Sequence, residues 1–254
     1  MNRSKFHWLE GSSLPQECVV LGAMPGVGNV GKLVIDGLLL KHPSRTLGWI
    51  IHPDFPPHSN MDSGGLMRPP RIEISSVILP DGNTLVVVTG VMQPMTAAGQ
   101  FEVSESILEL VAESRSPRLL VLAGLASGPS DRSIHVICSD SKVRDGLESD
   151  DIEVSRDQPE GGMIGMAGLI LSLAPTAGVH ASGIVAETIG TSSDVLAADR
   201  LSNWIEEAFE IPLDLDLDTT KQTAKRLMET IDSAGSVEDL LASDDTEVSA
   251  DFYV

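Results

Sequence analysis

The stretch Leu21-Gly22-Ala23-Met24-Pro25-Gly26-Val27-Gly28-Asn29-Val30-Gly31-Lys32 limits what this chain can become more than any other. Before it, Glu17-Cys18-Val19-Val20-Leu21-Gly22 reads as a short buried strand. After it, Val30, Leu33, Val34, Gly37, Leu38 and Leu40 recur at helical spacing. A strand, a glycine turn and a helix form the first half of a βαβ unit. The glycines permit positive φ and close backbone approach. Free amides at the helix start then offer an anion site at Gly26, Gly28, Asn29, Gly31 and Lys32. Gly26-x-x-x-x-Gly31-Lys32 also nearly spells a phosphate loop, but Leu33 stands where Ser or Thr should hold magnesium. That departure favours a tight strand-to-helix turn without a ligand.

Down the chain, His42-Pro43 ends the first helix and 46–52 reads as the next strand. Residues 53–71 form a long proline-rich loop; His52 just before it and His58 within it are ligand candidates lacking a third partner at metal spacing. The Pro80-Asp81-Gly82-Asn83 turn makes 72–79 and 85–89 an antiparallel hairpin. A helix follows over 99–114, with Phe101, Val103, Ile107, Leu108, Leu110 and Val111 inward. Strands are predicted at 118–124, 133–138, 152–154 and 179–188, with a short helix at 142–147. Residues 161–174 read as a buried helix entered through glycines, whose small residues pack closely on a strand or another helix. A helix over 194–209 takes Asp194 as N-cap and turns Leu196, Leu201, Trp204, Ile205 and Ala208 inward. Another is predicted over 217–231.

Apolar residues make up 42% of the 254, enough for one large core, and aromatics only 4%, so that core is aliphatic. Cys18 and Cys138 read as buried thiols in a reducing compartment. A net charge of −20 argues against nucleic acid and anionic membranes as partners. No signal-peptide pattern opens the chain and no run suggests a membrane span, so a cytoplasmic protein is expected. No metal or cofactor is expected.

From Asp232 the composition changes. Residues 232–254 carry seven acidic groups and no basic one, the pattern of a flexible tail behind a domain of residues 1–231. The tail nevertheless ends in Phe252-Tyr253-Val254, and Tyr253 is the only tyrosine.

Five stretches together resemble the archaeal proteasome assembly chaperone family, chaperone-two type. They are the 21–32 turn, Ile51-His52-Pro53-Asp54-Phe55-Pro56-Pro57, Val88-Thr89-Gly90-Val91-Met92-Gln93-Pro94, the glycine helix at 161–174, and Ala186-Glu187-Thr188-Ile189-Gly190. They occur in family order, although Met24-Pro25 and Val91-Met92 depart from the commoner residues. The resemblance implies a three-layer α/β/α domain with a mixed sheet, similar to the nucleoside phosphorylase-like fold. It also implies a non-enzymatic binder of 20S proteasome α subunits.

The chain end is similar to the hydrophobic–Tyr–any tripeptide by which proteasome activators dock on the α ring. In that likeness Phe252 fills an apolar groove, Tyr253 packs and hydrogen-bonds at the pocket wall, and the Val254 carboxylate pairs with a pocket lysine. A tail of this length reaches on the order of 25 Å. One tail binds weakly, so a homo-oligomer presenting several is expected. The alternative is a phosphate- or nucleotide-binding enzyme of phosphorylase or hydrolase type. It would use the 22–32 glycine loop, with Lys32, His52 and Glu187 as its catalytic candidates.

Overall fold

The computed structural model describes residues 2–9, 13–62, 64–114, 118–154 and 162–217. In chain order the elements are β1 (Lys5–Trp8), β2 (Val19–Ala23), α1 (Val30–Lys41), β3 (Ser44–Ile51), β4 (Asn60–Met61), β5 (Met67–Arg68), β6 (Ile72–Ile78) and β7 (Thr84–Gly90). There follow α2 (Ala97–Ala112), β8 (Arg118–Ala126), β9 (Ile134–Cys138), α3 (Ser141–Ser149), α4 (Met166–Leu173), β10 (His180–Thr188) and α5 (Val195–Phe209). Eight strands form one mixed sheet in the order β1-β3-β6-β7-β2-β8-β10-β9. Its centre, β7-β2-β8-β10, is parallel. The outer strands β1, β3 and β6 on one side and β9 on the other join by antiparallel pairing.

The central strands are continuous apolar runs because helices cover both faces. Leu21, Val87, Leu120, Leu122 and Ile184 point to the face packed by α1, α3 and α5. Val20, Val86, Val88, Leu119 and Val121 point to the face packed by α2 and α4. The period of two thus divides one sheet between two cores. Helix α1 is buried nearly all round, since the alternating leucines Leu213, Leu215 and Leu217 join its core with α5. The predicted hairpin over 72–89 forms with Ile74 opposite Val88.

Several expectations are corrected. Residues 152–154 are not a strand: Ile152 donates its amide to Leu147 at the end of α3, and Ile152 and Val154 enter the core without a neighbouring strand. The glycine helix begins only at Met166, because Gly165 takes φ 86° at its N-cap. The small residue Gly168 does not seat a neighbouring element. A Cβ there would stand 2.3 Å from the carbonyl oxygen of Met163, in the helix's own lead-in. Phe101 is 42% exposed, Leu40 51% and Leu196 62%, each lying off the buried stripe of its helix. The 53–71 loop contains the small hairpin β4–β5. Cys18 is buried, but Cys138 only partly so. The helix expected over 217–231 lies outside the described residues apart from the buried Leu217, as do the 232–254 tail and Phe252, Tyr253 and Val254. Among the described residues no helix is long and apolar enough to cross a membrane.

Candidate functional site

In open α/β sheets the carboxyl ends of parallel strands form the working rim. Here that rim is built by the turns after β2, β7, β8 and β10. After β2 the backbone makes one tight turn over Val27–Asn29, with Gly28 at φ 63° and Asn29 at φ 48°, then enters α1. The sequence concentrates glycine here because protein crowds the turn from two sides. A Cβ on Gly28 would stand 2.6 Å from Thr188 Oγ1, and one on Gly31 would stand 2.5 Å from the Leu122 carbonyl oxygen. The Asn29 side chain stitches the turn down. Its oxygen accepts the Gly26 amide at 3.3 Å and its amide donates to the Ser192 carbonyl at 2.7 Å. Gly28 also accepts the Asp194 amide at 2.9 Å.

Lys32 does not reach back over the turn. Its ammonium runs down α1 to Asp36 at 2.6 Å, and the side chain is largely buried. The candidates for phosphate chemistry therefore have structural partners. Glu187 does too: it accepts the Ser133 amide at 2.8 Å and pairs with His135 at 3.2 Å, tying β9 to β10.

Two further side chains brace the rim. Gln93, after β7, donates to the Pro25 carbonyl at 2.7 Å and accepts the Met166 amide at 3.0 Å. One amide thus joins the glycine turn to the start of α4. Asp194 caps α5 through the Ala197 amide at 3.0 Å and accepts the Thr188 hydroxyl at 2.7 Å. On this braced rim Val27, Val91, Met95 and Ile189 are exposed, with Leu196 beside them on the first turn of α5. Apolar side chains held in water on pinned turns suit contact with another protein.

A second cluster was missed in the sequence. Arg3 grips Asp54 through two bonds of 2.9 Å and reaches Glu102 from Nε at 3.1 Å. His52 is buried, with Nε2 3.0 Å from Glu102 Oε2 and Nδ1 accepting the Asp54 amide at 3.1 Å. Because Nδ1 is an acceptor, the ring proton sits on Nε2 and donates to Glu102. Thr96, the N-cap of α2, donates to the same Asp54 carboxylate. His52 is therefore a brace between β3 and α2. Among the described residues no three His, Cys, Asp or Glu side chains assemble as a metal ligand set. Burial pushes both the Cys18 and the Cys138 thiol up, away from the thiolate a nucleophile needs.

The cluster carries a pH prediction. The His52 hydrogen bond, then those from Arg3, draw Glu102 down from 4.5 to about 2. A carboxyl held lower in the folded than in the unfolded chain stabilises the fold above its ordinary value and loses that contribution as pH falls. The contribution is full above pH 4.5 and gone near pH 2. The thermal midpoint of Glu102→Gln should fall below that of the native chain by a steady gap at neutral pH. That gap should close between pH 4.5 and 2. A gap unchanged down to pH 2 would leave the carboxylate no role in stability.

Residues 20–234 match the model of the PAC2 family. An uncharacterized protein of Methanocaldococcus jannaschii is 25% identical over 185 residues, spanning 72% of this chain and 70% of that one. The crystal structure of Pyrococcus furiosus PbaB, an archaeal proteasome activator, superposes with a TM-score of 0.73 at 20% identity, covering 93% of this chain and 100% of that one. Pyrococcus furiosus PbaA, an archaeal homolog of proteasome-assembly chaperone, gives 0.69 at 17% identity, with the same 93% and 100% coverage. At these identities the two structures share the fold with this chain.

Proposed function

The chain belongs to the PAC2 family, and from that premise we propose that it is a non-enzymatic proteasome-binding protein, an assembly chaperone or activator-like adaptor. The observation that carries the reading is the superposition of 93% of this chain on the structure of an archaeal proteasome activator. The braced rim supports it, since the polar side chains there hold turns together rather than converge on a reacting group. In this reading residues 1–231 are the body, a three-layer domain akin to the nucleoside phosphorylase-like fold, and 232–254 the acidic tail. Phe252, Tyr253 and Val254 dock between α subunits of the 20S ring. The protein works in the cytoplasm as a homo-oligomer, because several tails on one body raise avidity by about 10²–10⁴ over one tail.

The body's own contact surface is the apolar rim. Free α subunits, before ring closure, should be captured by the chain and lost with Ile189→Asp. The Ile189 side chain is exposed, so the fold should survive, and burying a charge at the contact should weaken capture about tenfold or more. Co-purification from cells expressing one α subunit, with the thermal midpoint as control, reads this out. Equal capture by the native chain and Ile189→Asp would move the contact off this rim, and no capture by either would refute a chaperone surface on the body.

A further inference from the structure

On the far side of the molecule from the Arg3 cluster, a cleft of about 480 Å³ opens between the start of β9 and α5. Ile134 and the half-buried Trp204 line its apolar part, and Arg132 and Arg200 its polar part, with Asn203 and Glu207 beside them. Arg3, Arg68, Arg71, Arg118 and Arg144 each stand at ion-pair distance from a carboxylate. Among the described residues Arg132 and Arg200 do not. Arg132 donates only to the carbonyl of its neighbour Asp131, at 2.6 Å. Arg200 donates to the Glu187 carbonyl at 2.5 Å, while its Nε is buried with no acceptor.

Asp199 also lines the cleft, and apart from Glu207 the acids nearby are already engaged. Asp131 holds the Ser127 hydroxyl and the Gly128 amide. Glu187 holds Ser133 and His135, and Asp194 caps α5. Asp199 accepts from Leu217 and Asn203. Burial, and after it the charge of Arg132, pushes the Arg200 guanidinium down from its ordinary value against the opposing pull of Asp194 and Glu187. Two guanidiniums that repel one another and share an open cleft are what an oxyanion corrects.

We propose that this cleft is an oxyanion-binding site, taking a carboxylate or a phosphate between Arg132 and Arg200. The planar Arg forks supply paired donors to either group. Trp204 and Ile134 receive the apolar part of the molecule that bears it. Glu207 is the lining carboxylate left without a partner among the described residues, and it opposes the ligand's charge. The site is independent of the proteasome reading.

The test is isothermal titration of the full chain with inorganic phosphate and, separately, with succinate, at ionic strength matched by chloride. Saturable binding of either anion is expected. Phosphate alone would assign a phosphoryl ligand and succinate alone a carboxylate. Arg132→Gln should weaken that binding about tenfold or more, the loss of a charge-assisted hydrogen bond. Arg132 is exposed and bonded only to the neighbouring carbonyl, so the fold should survive. Glu207→Gln should strengthen binding about threefold, by removing an opposing surface charge. A gain of this kind does not come from structural damage. Binding of neither anion, binding untouched by Arg132→Gln, or binding weakened by Glu207→Gln would overturn the proposal.

Discussion

Gly31→Ala should destabilise the fold by about 3 kcal/mol, the upper end of the usual cost of overpacking, because the interior here cannot yield. Helix propensity alone predicts the opposite, a gain of about 1 kcal/mol on replacing glycine within a helix. Geometry decides between them. The added Cβ would lie 2.5 Å from the Leu122 carbonyl oxygen and 2.7 Å from its carbon. Both are backbone atoms of β8, a strand held by β2 on one side and β10 on the other. Neither side can move without breaking ladder bonds, so α1 must lift off the sheet. The buried side chains of Val30, Leu33, Val34 and Leu38 would lose contacts with it. Gly146→Ala is the matched control. It sits in α3, where an added Cβ meets nothing within 4 Å, and should stabilise by about 0.5–1 kcal/mol. Urea midpoints of the two variants should move in opposite directions. Movement in the same direction would contradict the packing assigned to the turn.

The parts of this fold legible in the sequence were those written in local periodicity. The 72–89 hairpin shows in its turn and alternation, and the buried central strands show as apolar runs. Asp194 was readable as a cap because its acceptor is needed three residues later. What stayed hidden depends on partners far along the chain. The glycines of the first turn looked like a phosphate cradle, yet what they admit is Thr188 and Leu122, residues more than 90 positions away. The leucines at 213, 215 and 217 do alternate, but they run beside α1 and α5 without joining the sheet. That placement has no local signature. The Arg3 cluster joins residues 3, 52, 54 and 102. Only His52 was visible in advance, and as a ligand candidate.

For the rim, the sequence marked the glycine turn and favoured a tight turn without a ligand over an anion site. Gln93 lay in a family-like stretch, but its bridge between Pro25 and Met166 needs the spatial meeting of three turns.

The largest effect on binding is expected from the chain's last three residues. In the proposed reading each tail alone contributes a small contact and several on one body engage one ring together, so losing them would remove avidity along with the contact. The apparent affinity for the assembled ring should fall about 10²-fold or more. The body, which owes its two cores to residues well before 252, should keep its thermal midpoint. The decisive measurement is therefore the apparent Kd for assembled 20S proteasome, for the full chain and for a chain ending at Asp251, side by side. Tight binding by the full chain and loss of it in the shortened one would bear out docking through Phe252, Tyr253 and Val254. Equal binding by both would contradict it.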